Sequence, residues 1–244
     1  MIKNYKCIVA YDGFEYLGWQ RQNEGKTIQG VLEKTLTTLL KEKILIHGSG
    51  RTDKGVHAYA QVFSFKTTTS VPAENIKLVL NQRLPKSIHI NYIEKVDDLF
   101  HARYLAKGKR YVYKIWKKES NPFISRYYYC FTKEIDIQRI IDAKEILMGK
   151  HDFISFMASK SNVNSTVREI YSIDINNFDD YFEIEFYGNG FLYNMVRIIV
   201  QHFINIGLGK LSKEEFNEIL LNKKRQFSHK TAPANGLYLK EVIY

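Results

Sequence analysis

The segment from Gly48 to Phe65, GSGRTDKGVHAYAQVFSF, gathers more chemistry than any other part of the chain. Arg51 and Lys54 set positive charge on either side of Asp53, an arrangement that keeps the carboxylate ionised near neutral pH. Gly48, Gly50 and Gly55 predict a tightly shaped loop, because glycine enters backbone conformations that other residues reach only with strain. An ionised carboxylate held in a stiff basic loop can act as a nucleophile or a base. It can equally be a turn aspartate that satisfies neighbouring backbone amides.

Other chemistries fit less well. His47, Asp53 and His57 have no recognised zinc spacing and no cysteine to help them, so no metal is expected. Ser49 lacks the strand-to-helix elbow of a serine nucleophile. A phosphate-cradling loop needs Ser or Thr after its lysine and then a helix, whereas Gly55 and Val56 follow Lys54. A metal-dependent nuclease needs several carboxylates, and the loop offers one.

Around this loop the hydrophobic spacing predicts an ordered frame. Tyr5 to Tyr11 reads as a buried strand ending at the turn signal Asp12-Gly13. Ile28, Val31, Leu32, Leu36, Leu39 and Leu40 share one helical face. Lys43–His47 and His57–Phe65 read as strands on either side of the loop, Pro72–Arg83 as a helix and Ile88–Val96 as a strand. This is the split βαβ order of ferredoxin-like folds.

The second half repeats the order. A strand carries Tyr111, Tyr113 and Ile115, and Asp136 caps a helix with Gly149 just beyond it. Strands follow at 168–175 and 181–187, then a helix from Leu192 to about Ile206, a short helix opened by Ser212 and Glu215, and a strand at Leu237–Ile243. The predicted fold is therefore α+β: two ferredoxin-like (split βαβ, RRM-like) halves with antiparallel sheets joined around a central cleft. The expected domains are residues 1–105, with the loop at 48–58, and residues 106–244.

Composition narrows the partner. The 244 residues are 45% hydrophobic and carry a formal charge of +10, which favours a polyanionic ligand. With 17 Tyr and 15 Phe, stacking surfaces beside basic ones suit unpaired bases. Cys7 and Cys130 lie far apart, so neither a disulfide nor a zinc site is expected and a reducing cytoplasm is the natural location. The N-terminus has no apolar stretch of signal-peptide length. The most apolar segment, Phe191–Leu208, is interrupted by Arg197, Gln201 and His202 and reads as a buried helix, so no membrane partner is expected.

GRTDKGVHA resembles the signature loop of the TruA family of tRNA pseudouridine synthases. YDGFEYLGWQRQ, FHARYLAKGKRYVY, HDFISF, GNGFLYNMVRIIV and TAPANGLYL resemble the family's other blocks in the same order, so the likeness covers nearly the whole chain. It implies isomerisation of uridine to pseudouridine in the tRNA anticodon stem-loop, around positions 38 to 40, by a cytoplasmic homodimer with no metal or organic cofactor. By position it makes Asp53 the residue that attacks a flipped-out nucleotide, at either C1′ of the ribose or C6 of the base. It makes Tyr111 the tyrosine that stacks on the target base, Arg197 the partner of Asp53, and Leu237 part of the base pocket. Arg51, Lys54, His57, Lys109 and Arg110 become substrate-binding residues. Gln201 stands where the family commonly has glycine, and the chain is compact for the family; both bear on target range. The alternative of another class is a non-catalytic RNA-binding protein built from two RRM-like domains. It lacks support from any RNP-type aromatic-glycine pattern.

Overall fold

The computed structural model describes residues 1–158, 163–223 and 230–244. In chain order the elements are β1 (Lys3–Tyr11), α1 (Ile28–Leu40), β2 (Ile46–Gly48), β3 (His57–Thr67), α2 (Ala73–Arg83) and β4 (Ile88–Val96). They continue with β5 (Gly108–Trp116), α3 (Pro122–Ser125), β6 (Tyr129–Cys130), α4 (Ile137–Lys144), β7 (Gly149–Asp152) and β8 (Val167–Asn177). The last are β9 (Tyr181–Gly188), α5 (Met195–Gly207), α6 (Lys213–Leu221) and β10 (Leu237–Ile243). The chain divides into two compact units, residues 1–107 with 238–244, and residues 108–237.

In the first unit β1 pairs antiparallel with β4 on one edge and β3 on the other, and β2 pairs antiparallel with the far edge of β3. This is the ferredoxin-like strand order. Alternation explains β1: Tyr5, Cys7, Val9 and Tyr11 are buried, and Tyr5 stacks on Phe65 of β3 at 5.5 Å. Helix α1 begins where Thr27 Oγ1 accepts the Gly30 amide at 3.2 Å, and Ile28, Leu32 and Leu36 form its fully buried stripe. Truncating any one of these to alanine costs about 2–5 kcal/mol.

The second unit has the sheet order β5-β9-β8-β7, all antiparallel, with β6 parallel to β5. Its helices carry the expected caps. Asp136 accepts the Arg139 amide, and Ser212 and Glu215 form a reciprocal capping box. Phe156, Phe186, Phe203 and Phe216 pack in its core. Among the described residues no helix is long and apolar enough to cross a membrane.

The units differ from the expected halves in one respect. The terminal strand completes the repeated order of the second half, yet residues 238–244 lie in the first unit. Tyr238 and Leu239 pair in parallel with His57 and Ala58 of β3, the Lys107 amide donates to the Ile243 carbonyl at 2.8 Å, and Tyr244 Oη donates to the Ala102 carbonyl at 2.6 Å. β6 and β7 are additions that the hydrophobic pattern does not predict. They are 2 and 4 residues long, too short to show an alternation.

Candidate active site

The loop between β2 and β3 is folded against its own strands. Ser49 Oγ donates to Gln61 Oε1 at 2.6 Å, Gln61 Nε2 donates to the Gly50 carbonyl at 3.2 Å, and the Ser49 amide donates to the Val62 carbonyl at 2.7 Å. The loop closes where the Val56 amide reaches the Asp53 carbonyl at 3.1 Å. Of the three expected glycines only Gly55 takes a left-handed conformation, with φ +80°. Gly48 is required for space: a β-carbon there would lie 2.6 Å from the Trp19 indole nitrogen.

The bracing comes from residues 11–22, a part that the loop's own residues do not reveal. The Trp19 amide donates to the Thr52 carbonyl at 3.0 Å, and the Gly55 amide to the Tyr16 carbonyl at 3.3 Å. Gly18, at φ +97°, packs so closely that an added β-carbon would meet the Thr52 carbonyl oxygen at 2.6 Å. Tyr11 Oη lies 2.8 Å from Thr52 Oγ1, and burial pushes the Tyr11 phenol up, so it stays protonated. The outcome is a fixed backbone from which Asp53 projects half-buried, between exposed Arg51 and Lys54.

His57 lies at the base of the loop, at the start of β3. It is buried, its ring stacks on Tyr238 at 4.7 Å, and its Nδ1 accepts the Gly13 amide at 3.1 Å. An accepting nitrogen carries no proton, so Asp12 Oδ1, 3.2 Å away, serves instead as acceptor for the Phe14 amide at 3.0 Å. His57 therefore secures the root of the loop.

In the second unit, Arg197 joins two sequence blocks. Its Nε donates to the Ala232 carbonyl at 2.7 Å, Nη1 to Asn194 Oδ1 at 3.0 Å and Nη2 to Thr231 Oγ1 at 3.4 Å. The Ala232 amide returns a bond to the Arg197 carbonyl at 3.1 Å. Tyr113 Oη donates to the neighbouring Pro233 carbonyl at 2.7 Å. Burial raises the Tyr113 phenol well above its ordinary range, with the Arg197 charge opposing the shift. These bonds shape the segment that delivers Leu237, which is buried at the start of β10.

Tyr111 is nearly buried on β5, with Phe191 edge-on at 5.2 Å. Lys109 is half-buried on the same strand. Arg110, expected to grip substrate, is held on its own sheet: Nη1 is 3.3 Å from Glu185, and the guanidinium lies 4.1 Å over the Tyr187 ring. Gln201 reaches Asn205 along α5 at 3.4 Å.

No group of three or more metal-ligating side chains occurs among the described residues. Sequence reasoning missed Tyr11, Gly18, Thr52, Gln61, Tyr113 and Thr231. Gln61 carried a readable signal, being a polar residue among the inward-facing positions of an aromatic strand.

The family model described as tRNA pseudouridine synthase matches residues 7–105 and 143–244. Proteins named tRNA pseudouridine synthase A are similar over almost their whole lengths. The one from Lacticaseibacillus casei (strain BL23) is 46% identical over 99% of both chains. That from Thermoanaerobacter sp. (strain X514) is 43% identical over 100% of both. That from Acetivibrio thermocellus (strain ATCC 27405) is 40% identical over 100% of both. With the loop, its bracing segment and both later blocks inside the matched regions, the chain belongs to the TruA family of tRNA pseudouridine synthases.

Proposed function

We propose that the chain converts uridine to pseudouridine in the anticodon stem-loop of tRNA, around positions 38 to 40, with Asp53 as the nucleophile. The observation that carries this reading is a half-buried carboxylate on a loop braced from β1, from residues 11–22 and from Gln61, with cations on both sides.

The reaction is an isomerisation, so atoms balance within the nucleotide and the solvent. The target must first leave the helical stack, which costs a few kcal/mol offset by binding elsewhere. The Asp53 carboxylate then attacks C1′ or C6, the C1′–N1 bond breaks, and the uracil turns while held in place. A C1′–C5 bond forms, the C5 proton leaves to solvent, N1 takes up a proton from solvent, and the carboxylate is released. Tyr111 stacks on the base and assists proton transfer, and its edge contact with Phe191 keeps that ring oriented. The family likeness assigns Arg197 to the catalytic set, and the three bonds on its guanidinium favour a single side-chain conformation. Leu237 lines the base pocket. Arg51, Lys54 and Lys109 hold backbone phosphates, and a homodimer binds one tRNA across both copies.

The deciding experiment uses tRNA tritiated at uridine C5. Asp53→Asn retains tRNA binding and releases no tritium; full release by this variant sinks the nucleophile assignment. A light-scattering mass of two chains supports the dimer, and a mass of one chain overturns it.

A further inference from the structure

His47, His101 and Tyr104 form a run of aromatic rings on the first unit, apart from the Asp53 loop. The His47 and His101 centroids are 5.0 Å apart at 36°, and those of His101 and Tyr104 are 4.3 Å apart at 31°. The central ring is fixed from below. His101 Nδ1 accepts the Arg103 amide at 3.1 Å and the Tyr104 amide at 3.4 Å, which leaves the proton of the neutral ring on Nε2. Burial, then the neighbouring charges of His47 and Arg103, hold this imidazole below its usual range, so the ring is neutral at physiological pH.

Tyr104 ends the run, 75% exposed, and the Arg103 guanidinium lies 5.9 Å from its centroid. The Ala102 amide donates to Ser64 Oγ at 3.3 Å, and Ser64 is the β3 partner of His47, so the run is tied to the sheet. An exposed ring of this size, backed by a second fixed ring and flanked by a cation, is a ready stacking platform for a nucleobase. The adjoining cation favours a polyanion over an apolar peptide.

From this arrangement we infer that the exposed Tyr104 ring, covered by His101 on one face and with the Arg103 guanidinium 5.9 Å over it, is a second RNA subsite that stacks one unpaired base of the tRNA substrate on the face turned away from His101. The subsite rests on the tRNA reading given above. Its distance from the reacting centre follows from register. Thr52 is bonded to Tyr11, which pairs with Ala58, whereas His47 pairs with Ser64. Six residues of strand at about 3.3 Å each separate the two anchor positions, which sets the platform up to about 20 Å along the sheet from the aspartate loop. The stacked base is therefore a nucleotide other than the target, and the platform serves affinity and register.

The test measures tRNA binding by Asp53→Asn protein with and without Tyr104→Ala, and kcat/KM of the single Tyr104 variants. Tyr104→Ala weakens tRNA binding about 5- to 150-fold, the range for one lost base–aromatic stack. It lowers kcat/KM alike, leaves kcat at saturating tRNA unchanged, and leaves the salt slope of binding unchanged because no phosphate contact is removed. Tyr104→Trp restores binding and Tyr104→Leu does not. Wild-type affinity in Tyr104→Ala overturns the subsite, as does a change in light-scattering mass with tRNA affinity kept, which would make Tyr104 a contact between copies. A wild-type chain that binds tRNA without isomerising it overturns the proposed activity, while the binding series still decides the subsite.

Discussion

The phenolic oxygen of Tyr11 lies 2.8 Å from the hydroxyl oxygen of Thr52, joining the last residue of β1 to the residue before Asp53. Both side chains are buried, so neither has water as a ready substitute partner. Tyr11→Phe leaves Thr52 Oγ1 short of this partner and costs about 1–3 kcal/mol in urea denaturation. Because the bond positions the loop and touches no substrate, kcat falls several-fold while KM for tRNA stays close to wild type. Unchanged kcat in a destabilised variant would show that the loop does not depend on this bond.

Gly18 makes a sharper steric prediction. Gly18→Ala combines a left-handed backbone with a β-carbon 2.6 Å from the Thr52 carbonyl oxygen. The strain alone is about 1–3 kcal/mol, and the loop must shift to relieve the contact. Thermal denaturation and the tritium-release assay should both move, and a wild-type melting temperature would contradict the packing described.

Arg197→Lys separates charge from geometry. Lysine keeps the positive charge but cannot reproduce three directed bonds to Ala232, Asn194 and Thr231. Turnover is expected to fall at least about tenfold, which corresponds to about 1.4 kcal/mol of lost transition-state stabilisation. Single-turnover kinetics check this, and near-normal turnover would mean that charge alone suffices.

The depressed His101 pKa predicts an acid effect on stability. With its folded value below the ordinary 6.5, the folded chain binds fewer protons than the unfolded chain once pH drops through that range. Stability therefore declines as pH falls below about 6.5 and levels off below the folded pKa. His101→Gln removes this contribution, and urea midpoints taken at pH 7.5 and pH 5 should lie closer together than in wild type.

Local signals made most of the frame legible. The periodic stripe of Ile28, Leu32 and Leu36, the Asp136 cap and the Ser212–Glu215 capping box each act within a few residues, and each is present. The loop's glycines announced a turn, but their reasons differ. Gly55 turns the chain, whereas Gly48 makes room for Trp19, a neighbour that spacing cannot reveal. The burial of His57 was hidden for a similar cause: it depends on Tyr238, which is distant in sequence and close in space. The membership of β10 in the first unit was hidden in the same way, because two parallel residue pairs leave no local periodicity.

Residues 108–237 form a compact unit of their own between the two parts of the first unit. During synthesis, β3 and the Asp53 loop leave the ribosome long before Tyr238 exists to stack on His57 or pair beside it. The nascent first unit carries an open strand edge at the root of the Asp53 loop for the whole time the intervening unit is made. Closing that edge joins positions far apart in sequence, a step whose entropic cost makes it late and slow. The last strand thus works as a completion signal, with the loop's root secured only when translation has passed residue 239.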